Sequence, residues 1–193
     1  MNQKDKDYLD LMAEATRQLD KVEEIRNKGF KYLGVGTIIY DKAHIINKEN
    51  IEIGSYCKID DFTFIYAGKG IKIGNFTHLG AFTSISGGGS INIGNHVGIS
   101  QGVRMVTGTN DYKQKGYMSA ASPIEEQAFY KGHIEIGNNI LLATNSVVLP
   151  NVKIGDGAII GACTLVNKDI EPWSVNVGVP CRKIGMRERF ETL

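Results

Sequence analysis

Several things are scarce in this chain, and each shortage excludes something. An excess of one charge is missing: 22 basic and 21 acidic residues leave a net +1. Neither nucleic acid nor an anionic lipid surface would find a field to follow. No apolar run approaches the roughly 18 residues needed to cross a bilayer, so no membrane insertion is expected. The N-terminal stretch is charged and has no apolar signal core, and the expected location is cytoplasmic. Only three cysteines occur, Cys57, Cys163 and Cys181. They are odd in number, lie far apart, match no zinc pattern, and are expected to be reduced packing thiols. Histidine is held to four, and only His78 and His96 fall in the repeated part, at different places in the repeat. A metal-dependent hydratase needs three histidines converging on zinc, so that class is excluded and no metal is expected. Proline is low at 4 whereas glycine is high at 23, which suits a chain of many tight bends.

The bends recur at a fixed spacing. Residues 51–110 are three rows of twenty: IEIGSYCKIDDFTFIYAGKG, IKIGNFTHLGAFTSISGGGS and INIGNHVGISQGVRMVTGTN. Each opens on I-x-I-G, and a fixed period of this kind marks a solenoid in which one row is one coil. A finer step of six lies inside each row. Ile73, Leu79 and Ile85 stand six apart, with small Thr77 and Thr83 four places after the first two. Ile53, Ile59 and Ile65 repeat this with Cys57 and Thr63. Six residues suit a short strand plus a bend: the aliphatic residue enters a narrow core and the small one lets the chain turn inward. Stacked coils would then stand about 4.8 Å apart.

Around this block the organisation varies. Residues 1–29 carry a helical pattern in Tyr8, Leu11, Met12, Ala15, Leu19, Val22 and Ile25, with Gly29 as its stop. Such a helix packs on the solenoid or a neighbouring subunit, or forms a lid over the acceptor. Residues 30–50 read as an irregular first coil, with His44 on its surface. Residues 111–133 are the one long interruption, and loops of that length are usually functional. It leaves at the corner already marked by YAGKG and SGGGS, so three excursions pile on one edge, the first place to look for a site. Regularity returns as IEIGNNILLATNSVVLPN and VKIGDGAIIGACTLVNKD, now with a period of eighteen. The tail, including residues 186–193, carries a short basic stretch whose composition allows a helix.

At this point the chain resembles the hexapeptide-repeat acyltransferases over residues 30–185. The block IEIGNNILLATNSVVLPNVKIGDGAIIGACTLVNKDIEPWSVNVGVPCRKI is similar to the coenzyme A-binding half of bacterial sugar acetyltransferases. The resemblance implies an all-β fold, a left-handed parallel β-helix, assembled as a homotrimer with sites in the clefts between subunits. It implies acetyl-CoA or another acyl-CoA as co-substrate. Ala143 and Ala162 would be close-approach positions for the pantetheine arm. Lys168, Arg182 and Lys183 would meet the phosphates, and Pro180 would shape the turn beneath the adenine. Where many sugar O-acetyltransferases carry Trp, this chain has Leu141.

The catalytic position departs further. Many of those enzymes place a histidine at the start of the long loop as general base, whereas this chain has Asn110 followed by Asp111. Asparagine can hydrogen-bond but cannot take a proton, and a sugar hydroxyl is a poor nucleophile without a base. An amine with a pKa near about 8 is already partly neutral at neutral pH. The expected acceptor is therefore an amino sugar. The stretch IDDFTFIYAGKGIKIGNFTHLGAFTSISGGG is also similar to acyltransferases acting on nucleotide-linked 4-amino-4,6-dideoxy sugars. His78, just before a core leucine, should point outward and is the remaining candidate base or acyl-carbonyl donor; the alternative is an exposed ladder histidine. Ser84 and Gln101 are candidate acceptor contacts, Asp111 could orient the amine, and His96 reads as structural. A sugar O-acetyltransferase and a non-catalytic scaffold are the rival readings.

Overall fold

The computed structural model describes Lys6 and residues 29–189. The expected N-terminal helix thus falls almost wholly outside the described residues, as do residues 190–193 of the tail. The rest is a three-faced parallel β-solenoid. The first face stacks Tyr32–Leu33, Ile51–Ile53, Gly70–Ile73, Ser90–Ile93, His133–Ile136 and Lys153–Ile154. The second runs through Ile38–Ile39, Lys58–Ile59, His78–Leu79, Gly98–Ile99, Leu141–Leu142, Ile159–Ile160 and Ser174–Val177. The third carries His44–Ile46, Phe64–Tyr66, Ser84–Ser86, Arg104–Val106, Val147–Val148 and Leu165–Val166. Following the chain, the first edge joins faces one and two, the second edge joins two and three, and the third edge joins three and one.

The six-residue step sets the core. In-register pairing places Ile53 on Ile73, Ile59 on Leu79 and Ile65 on Ile85, all buried. The same columns continue through Ile93, Ile99 and Met105 into the eighteen-residue rows. The small residues at the bends are more than spacers. Thr77 and Thr83 donate their hydroxyls to the Gly94 and Ser100 carbonyls of the next coil, at 2.9 and 3.1 Å. Cys57 does the same to Gly74 O at 2.9 Å. Each bend therefore satisfies a backbone acceptor that the strand ladder cannot reach. Residues 111–133 loop out without disturbing the stack: Ser90–Ile93 pairs with Gly70–Ile73 on one side and with His133–Ile136 on the other, in the same register.

Two expectations are corrected. The basic stretch of the tail is a strand, not a helix: Arg182–Met186 runs antiparallel to Ser174–Val177. Gly178, at φ 92°, helps the chain reverse, and the returning strand covers a sheet end that would otherwise leave its backbone unpaired. Cys57 and Cys181 are buried, but Cys163 is exposed. It occupies a left-handed corner position, φ 56°, from which a side chain points outward.

The corners carry an unexpected feature. Tyr56, Phe76 and His96 all adopt φ near 56° at the first edge and stack on one another, with centroids 5.3 and 4.8 Å apart. Phe62 and Phe82 stack likewise at the second edge, 5.2 Å apart, with the Lys42 ammonium over Phe62. Left-handed backbone disfavours such residues; the stacking between coils offsets that cost. His96 is structural in this sense, and His44 stacks on Phe64 at the surface.

Candidate active site

The third edge holds the largest described cavity, about 610 Å³. It lies where the three excursions pile up. Tyr66 and Lys69 come from the first excursion, Gly87 and Gly88 from the second, and Asn110, Ile124, Gln127, Phe129 and Lys131 from the long loop and its stem. The stem is a two-stranded antiparallel ribbon, Gly108–Asn110 with Phe129–Lys131, and Asn110 sits opposite Phe129. Glycine is required here because the corners touch. A Cβ at Gly68 would fall inside the Gly88 carbonyl, and one at Gly87 inside the Gly108 backbone.

Asn110 keeps its expected place at the mouth of the loop and lines this cavity. Its Nδ2 is buried with no hydrogen-bond partner among the described residues. A buried donor of this kind is costly unless something accepts from it. Asp111 is engaged with its own turn. Its carboxylate accepts from the Lys113 amide at 3.0 Å and from Gln114 Nε2 at 2.9 Å. These two donors hold the Asp111 carboxyl below the usual carboxylate range.

His78 lies elsewhere. It belongs to the second face and points outward, beside Gly98 of the next coil. Its Nε2 is 3.0 Å from Asp60 Oδ2, and Lys58 Nζ is 3.3 Å from Asp60 Oδ1. Burial pushes the Asp60 carboxyl up, but the hydrogen bonds from His78 and Lys58 outweigh it and leave the carboxyl below its ordinary value. A proton on Nε2 directed at Asp60 leaves Nδ1 as an acceptor. Asp60 also lines a groove of about 300 Å³ on the second edge, together with Phe62, Ala81 and Phe82.

Gln101, Ala143 and Ala162 follow along that second edge. Ala143 N donates to Ile160 O of the next coil, and Asn145 N donates to Gln101 O. Ser84 is close by on the third face, half-buried. The C-terminal cations gather at the end of the stack. Burial pushes the Cys181 thiol up, and the nearby Lys168 ammonium only partly offsets this, which puts Lys168 beside the turn that contains Pro180. Arg182 and Lys183 are on the returning strand, and Lys183 is paired with Glu171. The small side chains at an exposed edge and the cations at its end fit a thioester donor with a long arm and phosphates.

One chain therefore brings together His78, Gln101, Ala143 and Ala162 on one side, and Asn110 with the cavity on another. The third edge is opposite the second face, so His78 and Asn110 do not meet within a single copy. Pattern reading missed Asp60, Tyr66, Lys69, Phe129 and Lys131. The first three lie within the stretch already quoted, but only stacking reveals which of their side chains share a space. A second groove of about 370 Å³ runs along the first face, where Lys31 and Lys72 are already paired with Glu52 at 2.6 and 3.8 Å. Among the described residues no group of three or more His, Cys, Asp or Glu side chains gathers as a metal site, and no described helix is long and apolar enough to cross a membrane.

Comparison with known proteins agrees with this fold. Residues 133–168 match the family described as bacterial transferase hexapeptide (six repeats). The chain is 36% identical over 173 residues to a dTDP-4-amino-4,6-dideoxy-D-glucose acyltransferase of Escherichia coli, covering 89% of each protein. A shorter stretch of 55 residues is 49% identical to the galactoside O-acetyltransferase of Escherichia coli K12, 28% of this chain and 27% of that one. Among solved structures, a variant of AntD, an N-acyltransferase from Bacillus cereus in complex with dTDP-4-amino-4,6-dideoxyglucose and coenzyme A, superposes with a TM-score of 0.80 at 30% identity, covering 86% of this chain and 89% of that one. A maltose O-acetyltransferase from Clostridium difficile shares the fold, with a TM-score of 0.58 at 23% identity, covering 88% of this chain and 76% of that one.

Proposed function

The chain belongs to the hexapeptide-repeat acyltransferases, with their left-handed parallel β-helix, and from that premise we propose that it acylates the amino group of a nucleotide-linked amino-deoxysugar. It is a CoA-dependent acyltransferase. The observation that carries the choice of acceptor is the cavity on the third edge. Its wall includes Asn110 but no histidine and no carboxylate. Such a wall can hold an amine and donate to a neighbouring acceptor atom, but within one copy it offers no base to a hydroxyl.

In the proposed step the neutral amine attacks the thioester carbonyl. A C–N bond forms, the C–S bond breaks, and the coenzyme leaves as a thiol once the extra proton of the nitrogen passes to its sulfur. Asn110 Nδ2 is a candidate donor to the acceptor, and His78 of another copy, its Nε2 held by Asp60, offers Nδ1 as a candidate acceptor for the proton of the attacking group. The division of these residues between two edges supports a homotrimer whose clefts join the second edge of one copy to the third edge of the next. Acyl-CoA and nucleotide sugars are cytoplasmic metabolites, so the reading places the enzyme in the cytoplasm, in the synthesis of surface polysaccharide. The test is to incubate the protein with acetyl-CoA and a panel of nucleotide-linked amino sugars and follow mass. A gain of one acetyl group is expected on an amino sugar, and much faster than on its hydroxyl analogue. Transfer to the hydroxyl analogue alone would favour the O-acetyltransferase reading.

A further inference from the structure

Of the three concavities described above, the cavity on the third edge differs electrostatically from the other two, although Lys69 also borders the groove of the first face, which carries Glu49 and Glu52. Lys69 and Lys131 both line it, and no carboxylate does. Neither lysine has a salt-bridge partner among the described residues, whereas Lys31, Lys58, Lys72 and Lys183 are all paired. Two ammonium groups left beside one concave wall repel each other, and an anion between them removes that cost.

Their positions are fixed by backbone. Lys69 is held in its corner by the hydrogen bond from its amide to Gly89 O, 2.9 Å. Lys131 lies on the stem strand opposite Gly108. Its side chain extends over Gly88, where a Cβ would come within 3.8 Å of Nζ and within 3.4 Å of the Tyr66 ring. The bare Gly87–Gly88 corner is thus a floor flanked by one aromatic ring and a cation. Phe129 and Ile124 supply an apolar wall. A volume of about 610 Å³ is ample for a nucleoside diphosphate.

We propose that Lys69 and Lys131 grip the diphosphate of the acceptor across the Gly87–Gly88 corner, with the base against Tyr66 or Phe129, and that this pair selects nucleotide-linked sugars over free ones. The proposal rests on the acceptor reading given above and assigns a part of the pocket to a part of the substrate. Charge on the ligand, not the sugar, then supplies most of the affinity, so binding weakens with salt.

Calorimetry with dTDP, thymidine and inorganic pyrophosphate as probes tests it on the full chain without turnover. dTDP is expected to bind, thymidine at least about tenfold more weakly, in keeping with the loss of charge-assisted hydrogen bonds. Lys69→Met and Lys131→Met should each weaken dTDP about tenfold or more and raise KM for the nucleotide sugar while leaving KM for acyl-CoA unchanged. Lys131→Arg should recover part of the loss, and Lys72→Met, outside this pocket, should change nothing. If both lysine variants bind dTDP like the parent, or if thymidine binds as well as dTDP, the proposal is overturned. If the parent binds dTDP through these lysines yet acylates no nucleotide sugar, the lysine assignment stands and the acceptor reading fails. If the parent acylates nucleotide sugars with KM indifferent to both substitutions, the reverse holds.

Discussion

His78 Nε2 and Asp60 Oδ2 stand 3.0 Å apart, although 18 positions separate the two residues in the chain. The contact exists because one coil takes twenty residues and the strand Lys58–Ile59 lies directly against His78–Leu79. With the Nε2 proton directed at Asp60, Nδ1 is left as the acceptor that a base needs. His78→Ala is expected to lower kcat about a hundredfold for a hydroxyl acceptor and only about threefold for an amine, since a general base commonly contributes that much and an amine needs little help. Asp60→Asn should reproduce about a tenth of the first effect through lost orientation. Steady-state kinetics with paired acceptors checks both, and equal, negligible losses would remove His78 from the site.

The same carboxylate gives a pH signature. Its folded pKa is depressed, so it favours the fold fully above the unfolded value of about 3.9, and that contribution fades as pH falls through the lower folded value. Asp60→Asn has nothing to lose there. Denaturant midpoints measured between about pH 5 and pH 3 should fall more steeply for the parent than for the variant.

The stacked corners predict an inverted order of substitutions. Phe76 is sandwiched between Tyr56 and His96 in left-handed backbone. Phe76→Ala removes both stacks and keeps the backbone strain, for a loss of about 1–2 kcal/mol. Phe76→Gly removes the stacks but also the strain, so it should cost less than alanine despite being the smaller residue. Thermal unfolding of the two variants side by side decides this.

Gly68 provides a structural test of the third edge. Its missing side chain is what lets the corner rest on Gly88. Gly68→Ala must move one of the two corners, and Gly88 is the floor of the cavity. The expected result is a raised KM for the acceptor with an unchanged KM for acyl-CoA. Leu79→Ala, by contrast, opens the core and should cost about 2–5 kcal/mol without selectivity between substrates.

Much of this architecture was legible from spacing. Ile53, Ile59 and Ile65 announce the inward columns because burial in a coil this narrow admits only one or two aliphatic residues per face, and the sequence has to repeat them. Asn110 was legible as a departure, since one residue type decides whether a proton can be taken. The pairing of His78 with Asp60 was not, because an outward column carries no hydrophobic pattern to register. Nor was the returning strand Arg182–Met186: its residues have no strong preference, and an unpaired sheet end decided the outcome. Lys69 and Lys131 were ordinary surface charges until the stem laid Lys131 over the Gly88 corner, in the cavity that Lys69 also lines. The aromatic stacks were invisible because left-handed corners are normally expected to be glycine or asparagine, and only the neighbouring coil explains why rings occupy them.

Residues 111–133 enter and leave the stack without shifting any rung. The chain that follows pairs as though nothing had been inserted, so the arm is mechanically silent to its scaffold. Lengthening it, trimming it or replacing it with the arm of a relative can therefore alter which molecule is acylated while the thioester side of the enzyme goes on unaware of the exchange.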